Sequence, residues 1–419
     1  MITDYYSENW YQATEKFIKN AQGRGVLRWC VTPGHEYDIP YLVIGNGQNR
    51  LVINSGVHGI EGYFGSAAQN MFLDKMADNL PTKLLDKYTI VLVHVINGWG
   101  MQNRMREVMD KVHGGLVDLN RNFGVDFNDR SALPQNPKYE LAHDLLLSKP
   151  DNVHKKNAIK EFRQKHLRDG VWSAISYGQY KHPYGLFYGG MVPMIENKMA
   201  LSIYDDVMRG AKSLTSIGLH TGLGRFDRRH ACVSSHLLVS HPKMHKNTQY
   251  FSDMLHSTEI VSDELAVNGP TLLGDLVDCL EARYATPNLP VYTADFEIGT
   301  GEFPIMSPVY KRMDMGDARY DLINYGKINP QTWANLTESW YPSDVRWRMA
   351  ALGRARILFK ELFDELTKKH NVKLWVWLSK KWFVTSVYTG YFFNVFLSFF
   401  TCPKGCFFSR IYINERVST

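Results

Sequence analysis

The amino-acid sequence predicts an α/β fold. Helix-like and strand-like stretches alternate along most of the chain, and no sequence period of about 20 to 50 residues recurs, which argues against a repeat protein. Two apolar runs, LVINSG at 51–56 and TIVLVHVI at 89–96, are continuous and not alternating, as is typical of strands buried on both faces of a sheet. With 419 residues and 44% apolar content, the chain can bury a full core.

The elements can be placed in order along the chain. We expect an opening helix to about Asn20. Strands are then expected at 26–31, 41–47, 51–56 and 89–96, with a helix at 63–79 between the last two strands. Further strands are expected at SIGLH (216–220) and LPVYTADFEIG (289–299), each with a polar residue at or near its end. Because ligands of open α/β sheets bind beyond the carboxyl ends of strands, these strand ends are where we expect a functional site.

Charge and cysteine content exclude some classes of protein. The formal net charge is +6, but the segment from Asn371 onward contains six basic residues and one acidic residue, so the rest of the chain is nearly neutral and offers no nucleic-acid surface. The five scattered cysteines do not resemble a disulfide framework, and we interpret Cys402 and Cys406 as structural or incidental. The opening residues resemble neither a secretory signal nor a transit peptide, so a cytoplasmic location is expected.

The loop after the first buried strand carries the first candidate for chemistry. Within GVHGIEG, His58 and Glu61 form an H-x-x-E pair, and the interleaved glycines permit tight turns. His220, in GLHTGLG, occupies the same setting at the end of another strand. A hydrolytic zinc site needs about three ligands from His, Asp or Glu, so these three residues are the candidate ligands. A lone histidine at a strand end is more commonly a capping or hydrogen-bonding residue, and Glu61 alone would be an acidic residue favoured by the dipole of the helix start.

Charged residues between these motifs point to a substrate with a carboxylate. In VDLNRNF (117–123), Asn120 and Arg121 lie beside Asp118, and a guanidinium suits a carboxylate; the alternative is a polar loop that satisfies its own hydrogen bonds. Arg104 and Arg106 lie upstream, and either could face a developing oxyanion or be a solvated surface residue.

Taken together and in this order, GVHGIEG, R-x-R followed by DLNRNF, LHTGLG and FEIGT resemble the zinc carboxypeptidase (M14-type) superfamily, and most closely its DUF2817 branch. The resemblance spans roughly residues 40–305 and includes GQYKHPYGLFYGG at 178–190. It implies a mixed, mostly parallel sheet flanked by helices, and one bound Zn²⁺.

The resemblance also implies roles for the residues around the metal. His58, Glu61 and His220 match the zinc ligands, and Asp118 matches the carboxylate that orients the first histidine. Glu297, in FEIGT, matches the general base and acid.

The substrate-facing roles are implied in the same way. Asn120 and Arg121 match the pair that holds the substrate's terminal carboxylate. Arg106 is the preferred match to the arginine that polarises the scissile carbonyl, with Arg104 left open because the spacing of this loop departs from the usual pattern. The family's substrate-capping tyrosine has no clear counterpart, and no motif decides between the nearby candidates, Tyr284 and Tyr292.

The function predicted from these residues is a zinc-dependent hydrolase that cleaves a C-terminal amide bond of a peptide or related substrate with a free carboxylate. A zinc deacylase of N-acyl amino acids would use the same site, because its substrate carries the same carboxylate. A catalytically inactive, membrane-associated binding module would be favoured by the loss of a ligand or of the base, yet every core position is filled.

The C-terminal segment differs in character from the rest of the chain. We expect a catalytic domain over residues 1–370 and an apolar, basic-flanked extension over 371–419. Residues 382–402 carry no charge and are long enough to span a bilayer, but interspersed polar side chains dilute their hydrophobicity. Membrane association through this segment and strands packed on the domain are both left open.

Overall fold

The computed structural model describes residues 2–150, 153–166, 171–239, 244–262, 274–301, 307–368, 394–401 and 407–414. The strands are β1 (Val26–Cys30), β2 (Ile39–Ile44), β3 (Asn49–Ser55), β4 (Tyr88–Val93), β5 (Val108–Met109), β6 (Leu116–Val117), β7 (Ser213–Thr221), β8 (Phe226–Asp227), β9 (Cys232–Val233), β10 (Ser235–Val239), β11 (Glu259–Ser262), β12 (Val291–Ile298), β13 (Asn394–Thr401) and β14 (Phe407–Asn414). The α-helices are α1 (Trp10–Ala21), α2 (Gly62–Lys75), α3 (Thr82–Leu85), α4 (Gly98–Gln102), α5 (Pro137–Leu146), α6 (His154–Lys165), α7 (Val171–Ala174), α8 (Ile195–Met208), α9 (Met244–Ser252), α10 (Leu276–Tyr284), α11 (Ser307–Tyr325), α12 (Pro330–Trp340) and α13 (Val345–Lys368).

Eight strands form one mixed sheet in the order β1-β2-β4-β3-β7-β12-β10-β11. The four central strands, β4, β3, β7 and β12, are mutually parallel, and β10 is parallel to β11. The antiparallel pairs are β1 with β2, β2 with β4, and β10 with β12. The predicted α/β fold with a mixed, mostly parallel sheet is therefore confirmed.

The sheet separates two apolar layers. On one face, residues such as Ile53, Leu219 and Phe296 pack with α1, α2 and α13. On the other face, Val52 and Val91 pack with α8 and α10. Successive residues of a strand point to opposite faces, so burial on both faces explains why the central strands are continuous apolar runs.

Most predicted strands match the observed ones to within about three residues at either end, and two differences have a visible structural cause or consequence. The apolar run expected to continue to Ile96 leaves the sheet after Val93, because the backbone of Val95 takes a φ of +41°, a conformation that cannot continue a strand. The helix expected at 63–79 ends at Lys75 and is followed by a separate 3₁₀ turn at Ala77–Asn79.

Only parts of the C-terminal segment are described. Strands β13 and β14 form an antiparallel hairpin in which Asn394 pairs with Asn414, while residues 369–393, 402–406 and 415–419 lie outside the described residues. No helix in the described part of the chain is long and apolar enough to cross a membrane. The domain boundary at residue 370 and the membrane role of 382–402 stay predictions.

A buried ion pair joins α11 to the loop that carries Arg106. Arg319 Nη2 lies 2.7 Å from Glu107 Oε1, and the two side chains are 0% and 1% exposed. Because neither charge reaches water, each depends on the other for compensation.

We predict that Arg319→Met lowers the free energy of unfolding by about 3 to 5 kcal/mol, because it leaves the Glu107 carboxylate buried without its partner. Chemical denaturation measures the loss. The double variant Arg319→Met/Glu107→Leu should recover part of it, since no unpaired charge remains. If Arg319→Met were as stable as the unmodified protein, Arg319 would not be the group that compensates the buried charge of Glu107.

Candidate metal centre

The predicted ligands meet at the carboxyl ends of the central parallel strands. His58 lies three residues beyond the end of β3 and precedes a 3₁₀ turn, Gly59–Glu61, that leads directly into α2. His220 and Glu297 are next to last in β7 and β12, and they are direct partners in the register of these two strands. His58, Glu61, His220 and Glu297 therefore lie at the carboxyl ends of the strands, which is where ligands of α/β sheets bind.

The H-x-x-E turn is held against the loop that precedes Arg106. Gly59 and Ile60 donate backbone hydrogen bonds to the carbonyls of Arg106 and Met105, at 3.0 and 2.9 Å. A Cβ on Gly59 would lie 2.2 Å from the carbonyl carbon of Gly100 in α4. Only glycine allows this approach, so this position of the motif is required by packing.

The carboxylate of Glu61 lies between the two histidines. Its Oε1 is 3.0 Å from His58 Nδ1, its Oε2 is 3.0 Å from His220 Nδ1, and Oε2 also accepts a hydrogen bond of 3.0 Å from the Thr221 amide. One ligand atom from each of the three residues lies within 4.8 Å of the others. The residues His58, Glu61 and His220 are 5%, 1% and 2% exposed, so these ligand atoms face a shared buried space.

The second nitrogen of each imidazole faces a further carboxylate. His58 Nε2 is 3.2 Å from Asp118 Oδ1, and His220 Nε2 is 3.5 Å from Asp295 Oδ1. Metal-binding histidines commonly donate their other N–H to a carboxylate, which fixes the tautomer and the orientation of the ring. Both histidines thus have the same arrangement, with Nδ1 toward Glu61 and Nε2 toward an aspartate.

Asp295 was not among the predicted site residues, although two sequence signals point to it. It precedes Glu297 by two residues in β12 and so lies on the same face of the sheet. Gly218, its partner in β7, is a glycine inside a strand, and a Cβ there would lie 2.3 Å from Asp295 Oδ1. A glycine inside a strand can mark such a close approach.

Arg106 lies at the cluster, whereas Arg104 packs elsewhere. The Arg106 guanidinium donates through Nη1 to Asp118 Oδ2 and lies 2.7 Å from His58 Nε2 through Nη2. Arg104 lies over the ring of Trp333, with Cζ 5.1 Å from the centroid. The geometry therefore favours Arg106, which is also the residue preferred from the sequence, for a role near the reacting group. The role itself stays a prediction.

Glu297 lies beside these ligands with one oxygen committed to the backbone. Its Oε2 accepts a hydrogen bond of 3.3 Å from the Leu223 amide, and the side chain is 8% exposed. Burial, followed by the negative charge of Glu61, raises the pKa of Glu297 to about 7, while His220 acts in the opposite direction. A carboxyl group with a pKa near neutrality can both accept and deliver a proton.

The positive charges around Glu61 and Asp118 stabilise the ionised forms of these two carboxyl groups. Burial by itself would raise the pKa of Glu61 and of Asp118, but His58 and His220 around Glu61, and Arg106 with His58 around Asp118, hold both pKa values below their ordinary range. Both carboxyl groups are therefore ionised at neutral pH, which is the state that a metal or a histidine N–H requires.

Asn120 and Arg121 lie on a 3₁₀ turn that follows Asp118. Asn120 Oδ1 accepts from the Leu276 amide, at the start of α10, at 3.1 Å. Arg121 donates through Nη1 to the Asn120 carbonyl and through Nη2 to the Ser176 carbonyl, both at 2.6 Å. The pair is 6% and 7% exposed, so the polar loop is buried and partly satisfied by its own backbone.

The motif GQYKHPYGLFYGG packs around this turn. The Tyr180 hydroxyl donates to the Arg121 carbonyl at 2.7 Å, and the Phe187 ring lies 5.8 Å from the Arg121 guanidinium and 5.3 Å from that of Arg106. A Cβ on Gly178 would lie 2.7 Å from Arg121 Cδ. The motif therefore holds Arg121 in place through close backbone approach.

The two tyrosine candidates for the capping role have other contacts. Tyr284 donates its hydroxyl to Asp205 in α8 at 2.6 Å, and Tyr292 stacks on Tyr250 with centroids 3.7 Å apart. Tyr292 precedes Glu297 by five residues of an extended strand, a separation of roughly 17 Å. The capping role stays unassigned.

The donor set fits a metal ion. His58 Nδ1 is buried and makes no hydrogen bond within the described residues, although it lies 3.0 Å from Glu61 Oε1. Two imidazole nitrogens and one carboxylate, all converging on one point, are the ligand set of a catalytic zinc with an open position. The residues present therefore fit Zn²⁺.

Comparison with solved structures finds distant likenesses. Bovine thrombin-activatable fibrinolysis inhibitor is 11% identical with a TM-score of 0.48, covering 87% of this chain and 98% of that one. Carboxypeptidase A from Helicoverpa armigera is 11% identical with a TM-score of 0.43 (84% and 74% covered), and succinylglutamate desuccinylase/aspartoacylase from Rhodobacter sphaeroides is 14% identical with a TM-score of 0.31 (70% and 60%).

Sequence comparison gives a more direct result. No protein of curated function matches the chain. The family model of the proteins of unknown function designated DUF2817 matches residues 6–354, which include every predicted site residue. The chain belongs to the DUF2817 family.

Proposed function

We propose that this protein is a zinc-dependent hydrolase that cleaves the amide bond next to a free carboxylate, as a metallocarboxypeptidase does. The observation that carries the proposal is the paired arrangement of His58 and His220, each with Nδ1 at 3.0 Å from Glu61 and Nε2 toward an aspartate. The order of motifs that resembles the zinc carboxypeptidases supports the same conclusion.

His58, Glu61 and His220 would hold the metal. When bound, zinc lowers the pKa of a water molecule to about 7 and acts as a Lewis acid toward a carbonyl. Glu297 accepts a proton from the attacking water; the C–N bond then breaks, and Glu297 returns the proton to the leaving amine. Because Oε2 accepts from the Leu223 amide, we assign the proton transfer to Oε1.

A ligand role for His58 Nδ1 changes the hydrogen bonds of Arg106. An arginine only donates, so the 2.7 Å contact between Arg106 Nη2 and His58 Nε2 requires this nitrogen to accept. Once Nδ1 is the ligand, Nε2 carries the proton and donates to Asp118. Arg106 can then no longer donate to His58, and its Nη2 becomes available to the oxygen of the scissile carbonyl.

The carboxylate of the substrate would be held by Asn120 and Arg121. This proposal does not depend on the group attached to the carbonyl side of the cleaved amide bond. The same residues would therefore hold the carboxylate of an N-acyl amino acid in a deacylase. A panel of short peptides and N-acyl amino acids, tested with and without chelator, separates the two activities. Turnover of neither class by the zinc-loaded protein would favour the inactive binding module.

We predict that the purified protein binds one zinc ion and that His58→Ala or His220→Ala abolishes both zinc binding and turnover. Elemental analysis measures the zinc content. His94→Ala is the matched control, because His94 is 0% exposed and stacks on Phe17 away from the cluster. Full zinc occupancy in either ligand variant would disprove the ligand assignment.

Asp295→Asn is predicted to weaken zinc binding by about 10- to 100-fold, because the His220 ring loses the carboxylate that orients it. Competition with a chromophoric chelator measures the affinity, and Asp118→Asn should give a loss of similar size. An unchanged affinity in Asp295→Asn would mean that its 3.5 Å contact with His220 does not act on the metal.

Glu297→Gln should keep zinc and lower kcat by at least about 100-fold, because the amide retains the shape of the side chain but cannot accept the proton. Steady-state kinetics and zinc content are measured on the same preparation. A kcat near that of the unmodified enzyme would remove Glu297 from the mechanism.

Amidation of the substrate's carboxylate is predicted to lower kcat/KM at least about tenfold, since a hydrogen bond to a charged group contributes about 1.5 to 3 kcal/mol. In Arg121→Ala the ratio between free-acid and amidated substrate should approach one. Any inactive fraction of the variant cancels in this ratio. Equal cleavage of both substrates by the unmodified enzyme would exclude the carboxypeptidase and the deacylase alike.

A further inference from the structure

One turn of the backbone connects the two glutamates of the site. In the turn Thr221–Leu223, the Thr221 amide donates to Glu61 Oε2 at 3.0 Å and the Leu223 amide donates to Glu297 Oε2 at 3.3 Å. The amide between them, that of Gly222, donates to the Ile298 carbonyl at 2.9 Å. A displacement of this turn would therefore disturb a metal-facing carboxylate and the proposed base together.

A buried lysine binds the middle of this turn. Lys311, on α11, donates through Nζ to the Gly222 carbonyl and, at 2.5 Å, to the hydroxyl of Thr300. Gly222 follows β7 and Thr300 follows β12, so the ammonium group joins a backbone carbonyl beyond His220 to a side-chain hydroxyl beyond Glu297. The residue is 6% exposed.

The last turn of α12 completes this arrangement. The indole of Trp340 lies 4.7 Å from Lys311 Nζ and 5.2 Å from the Arg106 guanidinium, so one ring contacts both cations. Thr221 and Thr300 donate their hydroxyls to the carbonyls of Trp340 and Ser339, at 2.7 and 2.8 Å. A Cβ on Gly222 would lie 2.4 Å from the indole, so the turn has no space to shift in that direction.

An ammonium group in this position carries an energetic cost. Burial lowers the pKa of Lys311 to about 7, and the negative charges of Glu297 and Glu61 oppose the decrease. An apolar side chain of similar length would fill the same space without this cost. The charge is therefore expected to act on its surroundings and not merely to fill the core.

We propose that Lys311 is a positioning residue that fixes the Thr221–Leu223 turn through the Gly222 carbonyl, so that the amides of this turn hold Glu61 and Glu297 in their reactive geometry. The expected effect on turnover rests on the proposed hydrolase function. The effect on the turn itself does not depend on that function.

The test compares Lys311→Met with Lys155→Met. Lys155 is a matched control: it is 4% exposed and donates to the carbonyls of Leu146 and Ser148 and to Asp317, none of which belongs to the Thr221–Leu223 turn. Hydrogen exchange is followed by mass spectrometry on peptides covering residues 219–226. Zinc content, kcat and KM are measured with the fastest-cleaved substrate of the peptide and N-acyl amino acid panel.

In Lys311→Met we expect exchange at 219–226 to rise at least about tenfold, and kcat to fall about 10- to 100-fold with zinc content and KM little changed, since small misplacements of reacting groups lower rates by such factors. Lys311→Arg should recover part of both effects. Lys155→Met should reduce thermal stability and change neither measurement.

Exchange and kcat as in the unmodified protein, or the same changes in Lys155→Met, would overturn the proposal. If the unmodified enzyme cleaves no substrate of the panel, the proposed function fails, while the exchange data still decide the role of Lys311. If Lys311→Met does not fold, Thr300→Val removes the second acceptor of Nζ and is judged by the same two measurements.

Discussion

The carboxylate of Glu61 is the group on which the rest of the site depends. It contacts one histidine from the loop after β3 and one from β7, and it does so while only 1% exposed. A buried carboxylate needs charge and hydrogen-bond partners around it, and here the partners include the two imidazoles, one backbone amide and the Arg106 guanidinium, with Nε at 3.7 Å. The order of the central strands brings those partners together, because β3 and β7 are adjacent and parallel and end at the same edge.

Much of this arrangement could be predicted from sequence because it depends on local patterns. Continuous apolar runs indicate the buried strands, and their ends and the loop that follows them point to His58 and His220, whereas the role of Glu297 is implied by the resemblance of FEIGT. What could not be predicted depends on contacts between distant segments. Lys311 and Trp340 follow the last recognised motif, and only the packing of α11 and α12 brings them against β7 and β12. Contacts between such distant segments produce no periodic pattern in the sequence from which they could be predicted.

Arg106 shows how the two kinds of information combine. From the sequence, Arg106 is the preferred match by resemblance and Arg104 is left open, because the spacing of the loop departs from the usual pattern. In the structure, Arg104 adopts a φ of +50°, which marks a sharp turn, and the side chain two residues later faces Asp118. Phe187, Trp340 and the carboxylates then enclose the Arg106 guanidinium, so its position is determined by residues from three separate parts of the chain.

The hydrogen-bond donors that remain available on Asn120 and Arg121 determine which chemical group these two side chains can bind. Both terminal nitrogens of Arg121 donate to backbone carbonyls, and its Nε is buried and makes no hydrogen bond within the described residues. The oxygen of Asn120 is also committed, to the Leu276 amide, so its amide nitrogen is the donor that remains. Donors without acceptors favour an anion, and the fixed positive charge of Arg121 strengthens that preference. Because the backbone holds Arg121 before any substrate arrives, little side-chain entropy is lost when a carboxylate binds. Under the proposed function, a carboxylate bound here would orient the substrate relative to Glu297 and His58, whether the bond cleaved joins two amino acids or an acyl group to one.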